Sequence, residues 1–298
     1  MSSGRTLLVT GANGFIGRHV CSRLLRARGA IVCVDHRSIP GDAAGFVACD
    51  IADPQQFEEV VRANQVEIIV HLAAVLPSAS QQDPAGATRV NIGGTLNVLE
   101  AARKCAVRRV VYASSTSVYG GDHGSRAVIE SDSPTPNDLY GVAKRYSEVL
   151  GETYHRIFDF EFVALRIATV VGRGAESTSS QWRSDIFETL GTRSPQTIQI
   201  PFRGEEALPL VHVDDVAEMV ALLVERPMLK WWLYNAACET WTINQLQREV
   251  EGLNNNVRVE AGYKQSQIPK RIDSRRFCEE FGYSLTPLKG HLRQALGS

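Results

Sequence analysis

The 298-residue chain has no apolar run approaching the roughly 20 residues that a membrane-spanning helix requires. Its 32 basic and 33 acidic residues nearly cancel, leaving no electrostatic argument for nucleic acid or an anionic membrane surface as a partner. The six cysteines, at 21, 33, 49, 105, 238 and 278, lack C-x-x-C spacing and lack a nearby His pair, so no metal and no dithiol redox pair is expected. Most of them lie in apolar stretches and read as small buried hydrophobes. No signal-peptide pattern precedes the first apolar run, and a reducing, cytoplasmic setting is the expectation. No repeat at a solenoid period is present.

What is present is a strand–helix alternation. Apolar runs at 5–10, 30–35, 45–50, 67–72, 109–113 and 161–166 read as strands, and 15–28, 54–64, 91–105 and 139–158 as helices. Near-continuous apolar strands separated by helices mean a parallel sheet buried on both faces, and right-handed crossovers then give a doubly wound α/β fold. After Arg166 the rhythm breaks. Residues 172–206 are rich in Gly, Ser, Thr and Arg, a strand at 208–213 and a helix at 216–225 follow, and 234–298 carry two amphipathic helical stretches. The expected organisation is a dinucleotide-binding domain over 1–168, rejoined by 207–233, with a smaller substrate-binding lobe from 169–206 and 234–298.

Between the first strand and the first helix stands T-G-A-N-G-F-I-G, with Gly11, Gly14 and Gly17. A glycine pattern alone is weak, but here it follows a strand, opens a helix and begins a βαβ unit. The first Gly permits a tight turn, the second a close backbone approach to a pyrophosphate, the third helix–strand packing. The helix N-terminus then offers its orphan N–H groups and positive dipole end to the diphosphate. Asp35 ends the second strand, where a carboxylate bonds adenosine ribose hydroxyls. A 2′-phosphate a few ångströms away would meet repulsion on the order of 4 kcal/mol at an effective dielectric near 20. NAD is therefore favoured over NADP, although Arg37 is close enough to pair with such a phosphate. Asp50 and Ile51 either flank the adenine or, for Asp50, cap the next helix.

A hydroxyl run, Ser114-Ser115-Thr116-Ser117, ends the fifth strand, and Y-G-V-A-K follows at 140–144. Ser and Thr are ordinary turn residues, and a Tyr and a snorkelling Lys four apart are ordinary on an amphipathic helix. Asn137 or Asp138 is the candidate N-cap of that helix. Together with the glycine loop, however, these elements converge on one edge of the sheet. Moving a hydride from a secondary alcohol requires removing the hydroxyl proton, and a tyrosine of pKa near 10 is too weak a base unless a cation favours its phenolate. Lowering that pKa by about three units amounts to roughly 4 kcal/mol. A serine hydroxyl on the same substrate oxygen would orient it.

The sequence resembles the extended short-chain dehydrogenases/reductases of the NAD-dependent epimerase/dehydratase branch. The resemblance rests on T-G-A-N-G-F-I-G at 10–17, Asp35, H-L-A-A at 71–74, V-N-I-G-G-T at 90–95, Y-A-S-S-T-S-V-Y-G at 112–120, Y-G-V-A-K at 140–144 and V-H-V-D-D-V-A at 211–217, in family order. It implies Ser115, Tyr140 and Lys144 as catalytic residues. It implies a cofactor site of Gly11, Asn13, Gly14, Phe15, Ile16, Gly17, Asp35, Arg37, Asp50, Ile51, Leu72, Ala73, Ala74 and Asn91, with Tyr140 and Lys144. Asn91 is either a polar residue behind the site or a helix N-cap. Ser78, Ser115, Thr116, Thr169, Arg173 and Ser179 are the implied substrate contacts. The resemblance also implies a homodimer paired through the helices at 91–105 and 139–158.

Departures from the family pattern narrow the chemistry. Its dehydratases carry Asp-Glu where this chain has Thr116-Ser117, which disfavours dehydration. Nucleotide-sugar members carry an Asn where Thr169 stands and a diphosphate-binding Arg where Leu208 stands. Losing that Arg removes a charge-assisted contact worth roughly 1.5–3 kcal/mol, unless Arg173, Arg183, Arg193 or Arg203 substitutes. The segment at 172–187 suits a carboxylate or polyhydroxylated ligand, or is a solvated loop. The leading expectation is an NAD-dependent sugar or sugar-acid dehydrogenase or sugar epimerase. The alternatives are a nucleotide-sugar 4-epimerase and a non-catalytic NAD(P)-binding regulator.

Overall fold

The structure is a computed structural model that describes residues 6–38, 45–121, 123–175 and 180–297. In chain order its elements begin β1 (Thr6–Thr10), α1 (Phe15–Arg28), β2 (Val32–Asp35), β3 (Phe46–Ala48), α2 (Pro54–Ala63), β4 (Val66–His71), α3 (Pro77–Gln82) and α4 (Pro84–Thr88). They continue through a π-helical turn (Arg89–Gly94), α5 (Thr95–Lys104), β5 (Arg109–Ser115), a 3-10 turn (Thr116–Tyr119), α6 (Leu139–Ile157), β6 (Glu161–Ile167), β7 (Thr169–Val171) and α7 (Trp182–Glu188). The rest are β8 (Gln196–Phe202), β9 (Ala207–His212), α8 (Val213–Glu225), β10 (Leu233–Asn235), β11 (Glu239–Thr242), α9 (Ile243–Leu253), β12 (Val257–Lys264), α10 (Arg275–Phe281) and α11 (Leu288–Leu296).

The chain forms two compact units. The first comprises Met1–Val118, Pro136–Arg166 and Ala217–Tyr234. Its seven-stranded sheet runs β10-β6-β5-β4-β1-β2-β3, with β1 parallel to both β2 and β4. The chain winds outward from β1 in both directions, so the sheet is doubly wound and its topological switch point lies between β1 and β4. Leu8, Ile69, Val110 and Phe162, one from each of four strands, share a single core with Val98 and Leu99 of α5. Burial on both faces is why these strands read as continuous apolar runs.

Local signals set the helix ends. Asp53 accepts hydrogen bonds from the Gln55 and Gln56 amides at the start of α2, with Pro54 at the first helical position. Gly29, at φ 76°, closes α1 in the left-handed conformation. Of the two candidate caps for α6, the structure selects Asp138, whose side chain accepts from the Gly141 amide at 2.6 Å.

The second unit comprises Tyr119–Thr135, Ile167–Val216 and Asn235–Ser298. It holds a three-stranded sheet, β11-β9-β7, and a parallel β12–β8 pair. Trp182, Ile186, Leu208, Trp241 and Leu246 belong to its core.

Several expectations are corrected. The strand near 208–213 does not rejoin the central sheet: β9 pairs with β7 and β11, and the strand that returns is β10. Ser114 and Ser115 still belong to β5, so the polar turn begins at Thr116. The helix expected over 91–105 opens with the π-turn at Arg89–Gly94, and α3 and α4 precede it. Beyond 234 the chain adds β11 and β12 to its helices. Arg5, expected at the start of the first strand, lies outside the described residues. No helix among the described residues is long and apolar enough to cross a membrane.

Candidate active site

The glycine loop closes over the switch point. Gly11 has φ +69°, and a Cβ there would lie 2.7 Å from the Ala73 amide nitrogen. A Cβ on Gly17 would lie 2.0 Å from the Gly11 carbonyl oxygen, so neither position accepts a larger residue. Gly14 is exposed and begins α1 with no side-chain cap, and the first turn carries no acidic residue. Phe15 and Ile16 are half-buried in that turn. Backbone N–H groups and a positive dipole end, with no acidic residue in the first turn of α1, suit a diphosphate.

Asp35 holds the loop from β2. Its Oδ2 accepts from the Asn13 amide at 3.0 Å, and His36 Nδ1 lies 2.9 Å from Oδ1. Asn13 Nδ2 donates to the Arg37 carbonyl at 2.7 Å, while the Arg37 side chain is exposed. Asp50 is exposed and accepts from the Ala52 amide at 2.9 Å in a tight turn. It does not cap α2, because Asp53 does. Ile51 is buried, and a Cβ on Gly94 would lie 2.6 Å from its Cδ1.

Past β4, Leu72, Ala73 and Ala74 are half-buried and Ser78 is half-buried in α3. A buried polar chain holds this stretch. The Ala73 amide donates to Thr10 Oγ1 (3.3 Å), Thr10 Oγ1 bonds His71 Nδ1 (2.8 Å), and His71 Nε2 bonds Thr95 Oγ1 (3.1 Å). Thr95 spends its own proton on the Asn91 carbonyl at 2.7 Å. Thr95 therefore accepts from His71, which fixes the neutral Nε2–H tautomer and makes Thr10 the donor to Nδ1. Burial, aided by the nearby Lys144 cation, pulls the His71 pKa down to about 3.

The Asn91 side chain both accepts from the Val75 amide (2.7 Å) and donates to its carbonyl (2.9 Å). Asn91 is therefore not a helix N-cap: it lies within the π-turn and pins the backbone beyond β4. No sequence signal singled out Thr10, His71 or Thr95 for this network, beyond their being polar within apolar surroundings.

At the end of β5, Ser115 Oγ donates to Ser117 Oγ and accepts from the Ser117 amide, both at 3.1 Å. Ser115 and Ser117 stay half-buried, whereas Thr116, expected to touch substrate, is enclosed at 1% exposure. A Cβ on Gly141 would lie 2.6 Å from the Ser117 carbonyl oxygen, so glycine beside Tyr140 is what lets α6 begin against this turn. Tyr140 is half-buried. Lys144 is buried, donates to the Ala113 carbonyl at 2.6 Å, and stands 5.5 Å from the Tyr140 ring centre and 4.7 Å from that of Tyr112. Burial lowers the Lys144 pKa to about 7, with Glu148 pulling the other way. A half-buried tyrosine whose phenolate is favoured by a buried ammonium, with a serine hydroxyl on the neighbouring strand end, is an arrangement that can accept and hold a proton.

The remaining expected residues belong to the second unit. Thr169 is buried in β7, and exposed Arg173 donates to the Ala295 carbonyl at 3.0 Å. Ser179 lies outside the described residues. Leu208, where nucleotide-sugar relatives are expected to carry Arg, is 1% exposed within the apolar core. Arg193 is exposed, Arg203 Nε lies 3.7 Å from Glu205 Oε1, and the Arg183 guanidinium is 5.9 Å from the Trp182 ring. His212, Asp214 and His291 bring potential ligand atoms within 4.8 Å of one another. The two imidazoles, however, stack 3.8 Å apart at 14°, so no ion can lie near the plane of both rings.

Comparison with known proteins agrees with this geometry. The model of the NAD dependent epimerase/dehydratase family matches residues 7–235. The chain belongs to that family. It is 29% identical over 221 residues to a putative UDP-glucose 4-epimerase of Methanocaldococcus jannaschii, covering 71% of each chain. It is 24% identical to the mitochondrial L-threonine 3-dehydrogenase of Bos taurus over 253 residues, 82% of this chain and 67% of that one. Its fold matches an L-threonine dehydrogenase structure from Cupriavidus necator with a TM-score of 0.89 at 22% identity, covering 98% and 99% of the two chains.

As a member of this family the protein is an NAD-dependent enzyme. The glycine cradle, the uncapped start of α1 and the Asp35 carboxylate fit the diphosphate and ribose of NAD.

Proposed function

We propose that the protein oxidises a secondary hydroxyl of a free sugar or sugar acid, or epimerises that carbon if the ketone is kept and reduced again. When bound, NAD supplies the hydride acceptor. In this reading the Lys144 ammonium stabilises Tyr140 as the phenolate, that phenolate takes the hydroxyl proton and becomes the phenol, and Ser115 donates to the substrate oxygen to orient it. The observation that carries the reading is Lys144. It is buried, anchored on the Ala113 carbonyl at the end of the Ser115 strand, and 5.5 Å from the Tyr140 ring. A buried cation at the foot of a half-buried phenol has a chemical use, and an amphipathic surface helix does not require one.

A free substrate is favoured over a nucleotide-linked one because Leu208 is sealed in an apolar core and offers no charge to a diphosphate. Thr116 and Ser117 supply no acid for eliminating water. A second reading, oxidation of a 3-hydroxy amino acid, is favoured by the match to the bovine L-threonine 3-dehydrogenase over 82% of this chain.

The test is purified protein with NAD and a panel of free aldoses, uronic and aldonic acids, UDP-sugars and L-threonine, followed by NADH absorbance and product stereochemistry. Net NADH from a free sugar or sugar acid supports dehydrogenation, and inverted product without net NADH supports epimerisation. NADH from L-threonine alone selects the second reading. Tyr140→Phe is expected to abolish turnover while leaving NAD binding intact, and retained turnover overturns the mechanism.

The protein is further proposed to act as a homodimer. Leu139, Val142, Tyr146 and Val149 stand exposed along α6 at 3–4-residue spacing, and Ile157 follows on the same helix face about two turns on.

A further inference from the structure

Lys144 is 2% exposed, and burying an ammonium costs heavily unless it is paired. The groups around it are His71 on β4, Tyr112 on β5, and Tyr140 and Glu148 on α6, with Arg166 on β6 bonded to Glu148. His71 is held neutral by its tautomer-fixing bonds, and burial raises the Tyr112 pKa, so that phenol stays neutral as well. Among the described residues, Glu148 is the negative group that acts on Lys144. It lies four residues further along the same helix, one turn away.

Glu148 is itself fully buried and tightly held. Its Oε1 accepts from Ser114 Oγ (2.6 Å) and Arg166 Nε (2.8 Å), and its Oε2 from Arg166 Nη2 (2.8 Å) and Arg145 Nη1 (3.1 Å). Ser114 sits on β5 between Ala113, whose carbonyl takes the Lys144 ammonium, and Ser115. The helix thus grips consecutive strand residues through side chains one turn apart. A buried glutamate bridging an arginine near the end of an apolar strand is more than packing requires, since a buried ion pair is a poor route to stability.

We propose that Glu148, braced by Arg166 and Ser114, is the positioning residue that supplies the counter-charge to Lys144 and anchors the strand end bearing Ser115. The inference rests on the reading of Lys144 and Tyr140 as the proton-handling pair. It assigns Glu148 no contact with substrate or cofactor.

The test is a carbon-13 lysine NMR titration of the full chain, with and without NAD, in which the Lys144 signal is the one lost in Lys144→Arg. Glu148→Gln is expected to lower the Lys144 midpoint by about one pH unit, as loss of an opposite charge one turn away should. Glu148→Asp, which keeps the charge, is expected to restore most of the shift. Ser114→Ala, which removes only the brace, should leave the midpoint in place. If Glu148→Gln strands Arg166 and does not fold, Glu148→Gln with Arg166→Gln carries no unpaired buried charge, and its midpoint is expected to lie below that of Arg166→Gln alone, in which Glu148 keeps Arg145 and Ser114.

An unmoved midpoint in Glu148→Gln, or a double variant that titrates no lower than Arg166→Gln, overturns the inference, as does an equal fall in Ser114→Ala. The titration needs no substrate. Its failure therefore leaves the hydride-transfer reading to the turnover of Tyr140→Phe, and a substrate panel without turnover leaves the titration standing.

Discussion

His71 has no route to solvent and no spare lone pair for a second proton. Its Nδ1 accepts from Thr10 and its Nε2–H is spent on Thr95, so protonation would break the chain that holds Ala73. The unfolded chain protonates this imidazole below about pH 6.5, whereas the folded one resists down to about 3. The unfolded state thus binds more protons between these values, and stability falls as pH is lowered through that window. Between pH 6.5 and 5 the loss assignable to His71 is about 2 kcal/mol. Urea unfolding of wild type and His71→Gln at both pH values measures it. The variant should start less stable but lose about 2 kcal/mol less on acidification, and parallel losses would sink the assignment.

At the scale of elements, α6 depends on one glycine. Alanine in a helix is normally better than glycine by about 0.5–1 kcal/mol. At Gly141 the opposing effect wins, because a Cβ would stand 2.6 Å from the Ser117 carbonyl oxygen and 3.0 Å from Pro136 Cβ. Backbone cannot yield as a flexible side chain can. Gly141→Ala is therefore expected to destabilise by about 1–3 kcal/mol and to cut turnover by shifting Tyr140 from the Ser115 turn. Gly252→Ala in α9, where a Cβ would meet nothing within 4 Å, should instead gain about 0.5–1 kcal/mol. Equal effects of the two changes on the denaturation midpoint would show that propensity, not the Ser117 contact, governs α6.

The same helix shows what a sequence can and cannot reveal. Its start and its Tyr–Lys face follow from local residue chemistry, as do β1, the glycine loop and Asp35, whereas its cap, open between Asn137 and Asp138 in the sequence, is settled by the Gly141 contact. The clamp beneath it joins Glu148 to Arg166 and Ser114, 18 and 34 residues away, so spacing alone does not disclose it. An arginine inside the run Phe162-Val163-Ala164-Leu165-Arg166-Ile167 was the available signal. Sheet membership was illegible for a different reason. Leu208 to Val211 are all buried in β9, and an apolar run of that kind reads alike whichever sheet it joins. Pairing is decided by partners at Thr169 and Thr240 that lie far away in sequence. Asn91 was ambiguous because an Asn ahead of an apolar periodic run suits a helix N-cap, and its contact with Val75, 16 residues away, is not visible in spacing.

At the scale of the whole molecule, α6 carries an unresolved cost. Val142 is 48% exposed, Tyr146 51% and Ile157 66%, on the face opposite the buried Lys144 and Glu148. Single exposed apolar residues are common, but a stripe along five turns is the mark of an interface. A stripe on one helix is self-complementary under a two-fold axis, which lets a second copy of this chain cover it with the same surface. Val149, 43% exposed and mid-stripe, tests this without touching the Tyr–Lys face. Light scattering after size exclusion should give twice the 32.8 kDa chain mass for wild type and the single-chain mass for Val149→Glu. Two buried glutamates facing each other across the axis would be unpaired like charges, which the association energy of such an interface does not overcome. A wild-type monomer, or a Val149→Glu dimer of unchanged mass at the same concentration, would exclude α6 as the contact. Because the reacting groups lie on the opposite face of the helix, the monomeric variant should keep its NAD affinity, measured by calorimetry, while its thermal midpoint becomes independent of protein concentration.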